Sequence, residues 1–413
     1  MRIYFSGIGG VGIGPLSRIA LEAGYDVCGS DKSPSLITNE LELAGIPISF
    51  DQSGAFLQSE HDKSSFDWFI YTAALPENHP ELVLARKLGI KTSKRDELLA
   101  QIIADKNLKL IAVAGTHGKT TTTSMLVWTM EQLQIPVSYS VGSTLSFGPS
   151  GTFDKNSQFF VYECDEFDRN FLHFSPEISL ITSVDYDHPD TYPTKESYLD
   201  AFREFGEKSK KIIAWQENSA IFDEKNLTIL HNSNKSITLP GEHNRKNATL
   251  AIEALKNIGV DAEELEIYQA INSFPGSGRR FEKLAENLYS DYGHHPVEIQ
   301  ATLQMAKELS NDVALVYQPH QNVRQHEIID QYTDNIFHDA NEIYWLPTYL
   351  TRENPDLPIL TPQQLAKNID KEKVHFAELD DSLWQEITAA RNSGKLVLCM
   401  GAGTIDGWIR EQL

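Results

Sequence analysis

Short apolar runs rich in β-branched and aromatic residues alternate along this 413-residue chain with stretches whose apolar positions recur at helical spacing. The former read as strands and the latter as amphipathic helices. A first block opens with "RIYFSGIGG" and continues through the helix pattern "PLSRIALEAG" and the strand "YDVCGSD". It goes on through "FDWFIYTAAL" and the helix "HPELVLARKLG" and ends in "KRDELLAQIIADKN". A second block opens with "LKLIAVAG", contains "SQFFVYECDE" and "EISLITSVDYDHPD", and closes on the helix "NRKNATLAIEALKNIG" and another near "DAEELEIYQAINSF". The third alternates "LYSDYGHHP", "DVALVYQPH", "EIYWLPTY" and "KLVLCMGAG" with helical stretches. Such alternation predicts an α/β fold of mostly parallel sheets covered by helices. The polar "ADKNLK" and the turn-rich "FPGSGRR", where Pro275, Gly276 and Gly278 break any helix, divide the chain into 1–108, 109–275 and 276–413.

Composition adds exclusions. With 41% hydrophobic and 23% charged residues, wholesale disorder is excluded. Acids outnumber lysine and arginine 58 to 36, a formal net charge of -22, which opposes binding to nucleic acid or an anionic membrane. An anionic ligand must therefore be held by local devices such as helix N-termini, single arginines or a metal. Cys28, Cys164 and Cys399 form no CxxC pair, so neither a disulfide framework nor a zinc site is expected. "MRIYFSGIGG" reads as a strand opening rather than a signal peptide, and no apolar run approaches the roughly 18 residues of a membrane span. A cytoplasmic protein is expected.

Two glycine loops stand out. Gly7, Gly9 and Gly12 fit G-x-G-x-x-G between a strand and a helix, with Gly10 inside the pattern and Asp31 after the next strand, where a ribose-binding acid would sit. A nucleotide-diphosphate site is expected there, against the plainer alternative of a turn kept for helix–strand packing. The pattern does not say which nucleotide. The second loop, Gly115-Thr116-His117-Gly118-Lys119-Thr120, with Thr121 following, also joins a strand to a helix. Its amides can cradle phosphates, Lys119 can neutralise them and Thr120 can ligate magnesium. The full P-loop pattern places glycine where this chain has Val113, but a structural turn would leave a lysine between glycine and a threonine run without a reason.

Acids and histidines follow several strands. Glu163 ends an apolar strand, where an acid needs a partner, so a metal role is favoured for it. Asp165, Glu166 and Asp190 taken singly read as ordinary loop acids, while Asp187 and His188 close the next strand segment. Arg279 and Arg280 lie in a glycine-flanked hinge from which a guanidinium could reach a phosphate. Asp291 ends a strand and could accept bonds from a ribose. His294 and His295 precede Pro296 at a helix start, and cleft-facing and solvated-turn readings of this pair are evenly matched.

Taken in order, "GIGGVGIG", "VCGSD", "GTHGKTTTTSM", "ECDEFDRNFLHF", "DYDHPDTY", "GEHNRKNATLA", "GSGRRFE", "SDYGHHPVE", "YQPH" and "GAGTI" resemble the Mur ligase family over nearly the whole chain. The resemblance implies an N-terminal Rossmann-like domain for a UDP-sugar, a central P-loop ATPase domain, and a C-terminal Rossmann-like domain for the amino acid. It implies an ATP- and Mg2+-dependent amide-forming ligase of peptidoglycan precursor synthesis acting on UDP-N-acetylmuramate and a small amino acid, L-alanine. By position, the resemblance places Gly7, Gly9, Gly10, Gly12 and Asp31 on the UDP-sugar and Gly115 to Thr121 on ATP. It likewise places Lys119 on the transferring phosphoryl group, Thr120 and Glu163 on one magnesium, and His188 on a second. Asn247 would meet adenine, Arg280 the γ-phosphate, Asp291 the ribose, and His294 or His295 the amino acid. The family's "QPHR" reads "QPHQ" here, with Gln321 for arginine, and the segment usually reading "YPAGE" reads "WLPTYLTRE", so the amino-acid end departs most from the pattern. A ligase adding a recycled peptide to the same sugar is the nearest alternative, toward which Phe167 leans. A non-catalytic nucleotide-sugar sensor and an NAD-dependent oxidoreductase are more distant ones.

Overall fold

A computed structural model describes the chain from Met1 to Leu413 apart from Ala73, Pro189, Asp190 and Arg352. Of the residues singled out above, Asp190 and the arginine of "WLPTYLTRE" lie outside the described residues. The chain forms two compact units, 1–232 with 247–274, and 233–246 with 275–413.

The first unit holds two sheets. In one, the parallel strands run in the order Ile48–Ser49, Asp26–Ser30, Arg2–Ser6, Trp68–Tyr71, Lys91–Ser93. Ile3, Tyr4 and Phe5 of the central strand are all fully buried, as expected of a parallel strand covered by helices on both faces. The second sheet has seven strands, ordered Leu227–Leu230, Ile212–Trp215, Ile178–Ile181, Lys109–Ala114, Phe159–Glu163, Ser138–Ser140, Gly151–Thr152. Only its last pair is antiparallel. Leu110 through Ala114 are buried without a break, and the helix Lys119–Gln132 leaves the end of this central strand. That helix tolerates its threonines because Thr123 and Ser124 donate their hydroxyls back to the carbonyls of Lys119 and Thr120, each at 2.8 Å. The helix Lys195–Lys208 begins with a Thr194/Ser197 capping box and buries Tyr198, Phe202 and Phe205. Phe205 stacks on Phe171 with ring centroids 4.7 Å apart.

The second unit is built on a six-stranded sheet in the order Glu282–Ala285, Leu288–Asp291, Leu396–Met400, Val313–Tyr317, Glu342–Trp345, Val374–Phe376, parallel except for the first pair. The strand Leu396–Met400 returns from the end of the chain between two earlier strands, and all five of its residues are buried. His295 caps the helix Pro296–Leu309, whose proline occupies a first-turn position. The segment 233–246 is fastened to this unit by Arg245, which grips both carboxylate oxygens of Glu308 at 2.9 Å. No helix among the described residues is long and apolar enough to cross a membrane.

Candidate active site

The first glycine loop leaves the strand Arg2–Ser6 at Gly7, whose φ of 80° is the left-handed turn the pattern requires. The amides of Gly7 and Ile8 both donate to Ser30 O, at 2.8 and 2.9 Å, and Gly10 N closes the turn onto Gly7 O. Asp31 folds back on the loop, its Oδ2 accepting from Gly9 N at 2.7 Å and its Oδ1 from Lys32 N at 2.7 Å. The Arg95 guanidinium lies against Gly12, where an added Cβ would fall 2.6 Å from Nη1. Beneath the loop the fully buried Glu81 accepts hydroxyls from Tyr4, Ser6 and Ser30 at 2.6, 2.6 and 2.7 Å. Neither Arg95 nor Glu81 carries a sequence signal that separates it from a surface charge.

The second loop follows the strand Lys109–Ala114. Gly115 has φ 133° and its Cα faces the Ser183 backbone, so a Cβ there would lie 2.6 Å from Ser183 O. Thr116 N donates to Ser183 O and His117 N to Ser183 Oγ, both at 3.0 Å. Gly118, at φ 84°, sits against the largely buried Asn247, whose Oδ1 would be 2.8 Å from an added Cβ. Lys119 bends over its own loop, donating to Gly115 O at 2.6 Å and to Glu166 Oε2 at 2.7 Å. Thr121 occupies the first turn of the helix. Thr120 Oγ1 donates to Glu163 Oε1 at 2.8 Å, and Gly142 N holds the other oxygen at 2.9 Å.

Next to this pair lies a second acidic group. One ligand-capable atom each of Asp165, Glu166 and His188 lies within 4.8 Å of the others. His188 is held with φ 59°, rare for a residue with a side chain, and its ring meets Phe167 edge-on at 5.2 Å. Its Nε2 is 3.9 Å from Glu166 Oε1 and 3.8 Å from Asp187 Oδ2. Glu166 is fully buried, so it is not the ordinary loop acid that its position suggests. The missed signal is alternation: Tyr162, Cys164 and Glu166 point inward together, and the period of two runs past the end of the strand. Burial pushes the Glu166 carboxyl up from its ordinary value, with Asp165 adding to the push and Lys119 opposing it. Burial also disfavours the Lys119 ammonium, but Glu166, Asp165 and Glu163 outweigh it and the lysine titrates above its ordinary range.

In the second unit, Arg280 lies over the Tyr292 ring, 5.1 Å from its centroid. Asp291 is buried and receives Phe281 N at 2.8 Å and Gly293 N at 2.7 Å, one on each oxygen. Burial pushes its carboxyl up to about 6. His294 contacts the Arg324 guanidinium through Nε2, and its carbonyl accepts the Tyr317 hydroxyl at 3.1 Å. Burial pushes its imidazole down to about 4. His295 spends Nδ1 on the helix cap, accepting from Val297 N at 3.4 Å. Gln321 stands at φ 62° ahead of the helix Asn322–Ile328, its amide on Tyr349 O at 2.9 Å.

Strand-to-helix glycine loops over parallel sheets, one of them carrying a lysine and a threonine beside strand-end carboxylates, define a multidomain nucleotide-binding α/β enzyme. Three family models match consecutive parts of the chain: the Mur ligase family catalytic domain over residues 2–107, the Mur ligase middle domain over 113–226, and the Mur ligase glutamate ligase domain over 279–403. A UDP-N-acetylmuramate–L-alanine ligase of Clostridium perfringens is 31% identical, with 98% of this chain and 96% of that protein aligned. The crystal structure of UDP-N-acetylmuramate-alanine ligase from Thermotoga maritima superposes with TM-score 0.76 at 25% identity, covering 100% of this chain and 98% of that one. A murein peptide ligase from Psychrobacter arcticus shares the fold at TM-score 0.65 and 22% identity, covering 100% and 98% of the two chains. The chain belongs to the Mur ligase family, and its three sheets are that family's Rossmann-like, P-loop and Rossmann-like domains.

Proposed function

We propose that this protein joins L-alanine to the carboxylate of UDP-N-acetylmuramate with cleavage of ATP, in the cytoplasmic synthesis of peptidoglycan precursors. The observation that carries this reading is the Gly115–Thr120 loop, with Lys119 and Thr120 facing Glu166 and Glu163, in a chain similar over almost its whole length to alanine-adding ligases. A muramate carboxylate oxygen attacks the γ-phosphorus, ADP departs, and an acyl phosphate results. The amine of the amino acid then attacks the acyl carbon, a proton leaves the nitrogen, and phosphate is expelled as the amide forms.

This chain's contribution is positioning and charge neutralisation, which dominate phosphoryl transfer generally. Loop amides hold the phosphates, the Lys119 ammonium offsets the charge on the moving phosphoryl group, and Asn247 contacts adenine. The hydroxyl of Thr120 with Glu163, and Asp165 and Glu166 with His188, are oxygen-rich donor sets that suit magnesium. Bound there, magnesium would supply Lewis-acid stabilisation of phosphoryl and acyl oxygens. On the first loop, Gly7, Gly9, Gly10 and Gly12 take the UDP diphosphate, and Asp31 sets the loop through Gly9 N. From the second unit we assign Arg280 to the γ-phosphate, Asp291 to the ribose, and His294 or His295 to the amino acid.

A second reading, addition of a recycled peptide to the same sugar, is favoured by one observation, the aromatic Phe167 packed on His188. A phosphate-release panel with ATP, magnesium and UDP-N-acetylmuramate separates the two. Alanine, with weaker serine and glycine, is expected to support turnover. Turnover with tripeptide alone would overturn the alanine assignment, and no ADP from any acceptor would leave a nucleotide-sugar sensor.

A further inference from the structure

Four carboxylates are buried among the described residues: Glu81, Asp96, Glu166 and Asp291. Three of them are satisfied by hydrogen bonds within the fold. Glu81 holds three hydroxyls, Asp96 accepts Tyr162 OH at 2.6 Å beside Arg95, and Asp291 takes two backbone amides. Glu166 differs, because its cationic partner is Lys119, the group that incoming phosphate would claim. A buried carboxylate that loses its cation must gain another, or take up a proton.

The surroundings of Glu166 offer a replacement. Oε2 faces Lys119, while Oε1 faces His188 at 3.9 Å, and Asp165 completes a group that could share a divalent cation. Tyr198, itself fully buried, donates to Oε1 at 3.2 Å and shares a 2.8 Å hydrogen bond with Thr116 Oγ1 of the phosphate loop. Tyr192 OH fixes the backbone by donating to Glu166 O at 2.5 Å. One carboxylate is thus held between the loop lysine and a candidate cation position.

We infer that Glu166 is a partner-exchange residue: it pairs with Lys119 while the loop is empty and gives its charge to a divalent cation beside Asp165 and His188 once phosphate takes the lysine. Resting on the nucleotide role proposed for the loop, this makes Glu166 a positioning residue through which nucleotide and metal binding are coupled. Without metal, Glu166 competes with phosphate for Lys119. With metal, that competition ends.

The test is ADP binding to the full-length protein by calorimetry, in chelator and in excess magnesium, for the parent, Glu166→Gln and Asp165→Asn. Glu166→Gln should bind metal-free ADP more tightly than the parent, and its enhancement by magnesium should shrink by a matching factor. Coupling free energies between sites usually correspond to roughly 5- to 150-fold. Asp165→Asn keeps the Lys119–Glu166 pair and removes one donor of the cation group, so its enhancement by magnesium should fall. This variant carries the test if Glu166→Gln does not fold. Metal-free affinity in folded Glu166→Gln equal to or weaker than the parent's, or full enhancement in Asp165→Asn, overturns the inference. A parent that binds no ADP would instead remove the nucleotide assignment of the loop, and the inference with it.

Discussion

Replacing Lys119 by methionine keeps the length of the side chain and removes its charge, which separates the fold from the chemistry. In the parent, Nζ is bonded to Gly115 O and to Glu166 Oε2 at 2.6 and 2.7 Å, with the lysine side chain 14% exposed and the glutamate fully buried. Solvent screening is therefore slight, and the variant leaves a carboxylate buried without its cation. Breaking such a pair from one side costs about 3–5 kcal/mol, a large part of a typical total of roughly 5–15 kcal/mol. Adding Glu166→Gln removes the orphaned charge, so Lys119→Met/Glu166→Gln should recover most of that loss. Neither variant should release phosphate from ATP in the presence of UDP-N-acetylmuramate and alanine, because the ammonium that offsets phosphoryl charge is absent from both. Urea unfolding reads the first quantity and coupled phosphate release the second. A single variant within about 1 kcal/mol of the parent would refute the buried pair. Parental turnover in the double variant would refute the catalytic role of Lys119.

Gly118→Ala should lower stability by roughly 1–2 kcal/mol, since φ is 84° and the new Cβ would press on Asn247. ADP calorimetry should show weakened nucleotide binding, and unchanged binding would sever Asn247 from the nucleotide. Stability of the second unit should fall as pH drops from about 6.5 to about 4. Burial pushes His243 and His294 down to about 4, so the unfolded chain takes up protons in that window before the folded one does. Asp291, pushed up to about 6, contributes in the opposite sense: its share is full below its ordinary value of 3.8 and is lost as pH rises to about 6. The histidines outnumber it, and each changes stability by at most about 1.4 kcal/mol per pH unit. His243→Gln should flatten the acid slope of urea-unfolding free energies by about that amount, and an unchanged slope would mean His243 is not buried neutral.

Local pattern made much of this molecule readable. Both glycine loops announce themselves because a strand, a left-handed turn and a helix start must follow one another within a few residues, as at Gly7 and Gly118. Thr120 and Glu163 were each visible at the edge of an element, while their being brought together was implied by the family resemblance and not by local pattern. What escaped depends on distant partners. The inward alternation of Tyr162, Cys164 and Glu166 carries the burial of Glu166, but the partners that satisfy it there, Lys119, Tyr192 and Tyr198, lie up to 47 positions away and leave no local sign. The spacing that marks Asp31 as a ribose acid is equally satisfied by a side chain that fastens Gly9 N. The attachment of 233–246 to the second unit rests on Gly241 N and Arg245 reaching Glu308, bonds with no local signature.

The acid excess and the phosphate loops look opposed, since 58 carboxylates should repel a nucleotide from a protein of net charge -22. The site resolves this by fixing its nearest acids to specific partners. Glu163 is held by a hydroxyl and an amide, Glu81 by three hydroxyls, Asp31 by two amides and Glu166 by the loop lysine. In each case a hydrogen bond to the charged form offsets part of the field that an incoming phosphate meets. Glu166 is the exception in kind, because its neutralising partner is also the group the phosphate needs. The same carboxylate that steadies the empty loop must then be answered by another positive charge when the loop fills, and the groups best placed to recruit one are its neighbours Asp165 and His188. In the coupling proposed for Glu166, the cation strengthens the filling of an acid-rich loop by releasing its lysine.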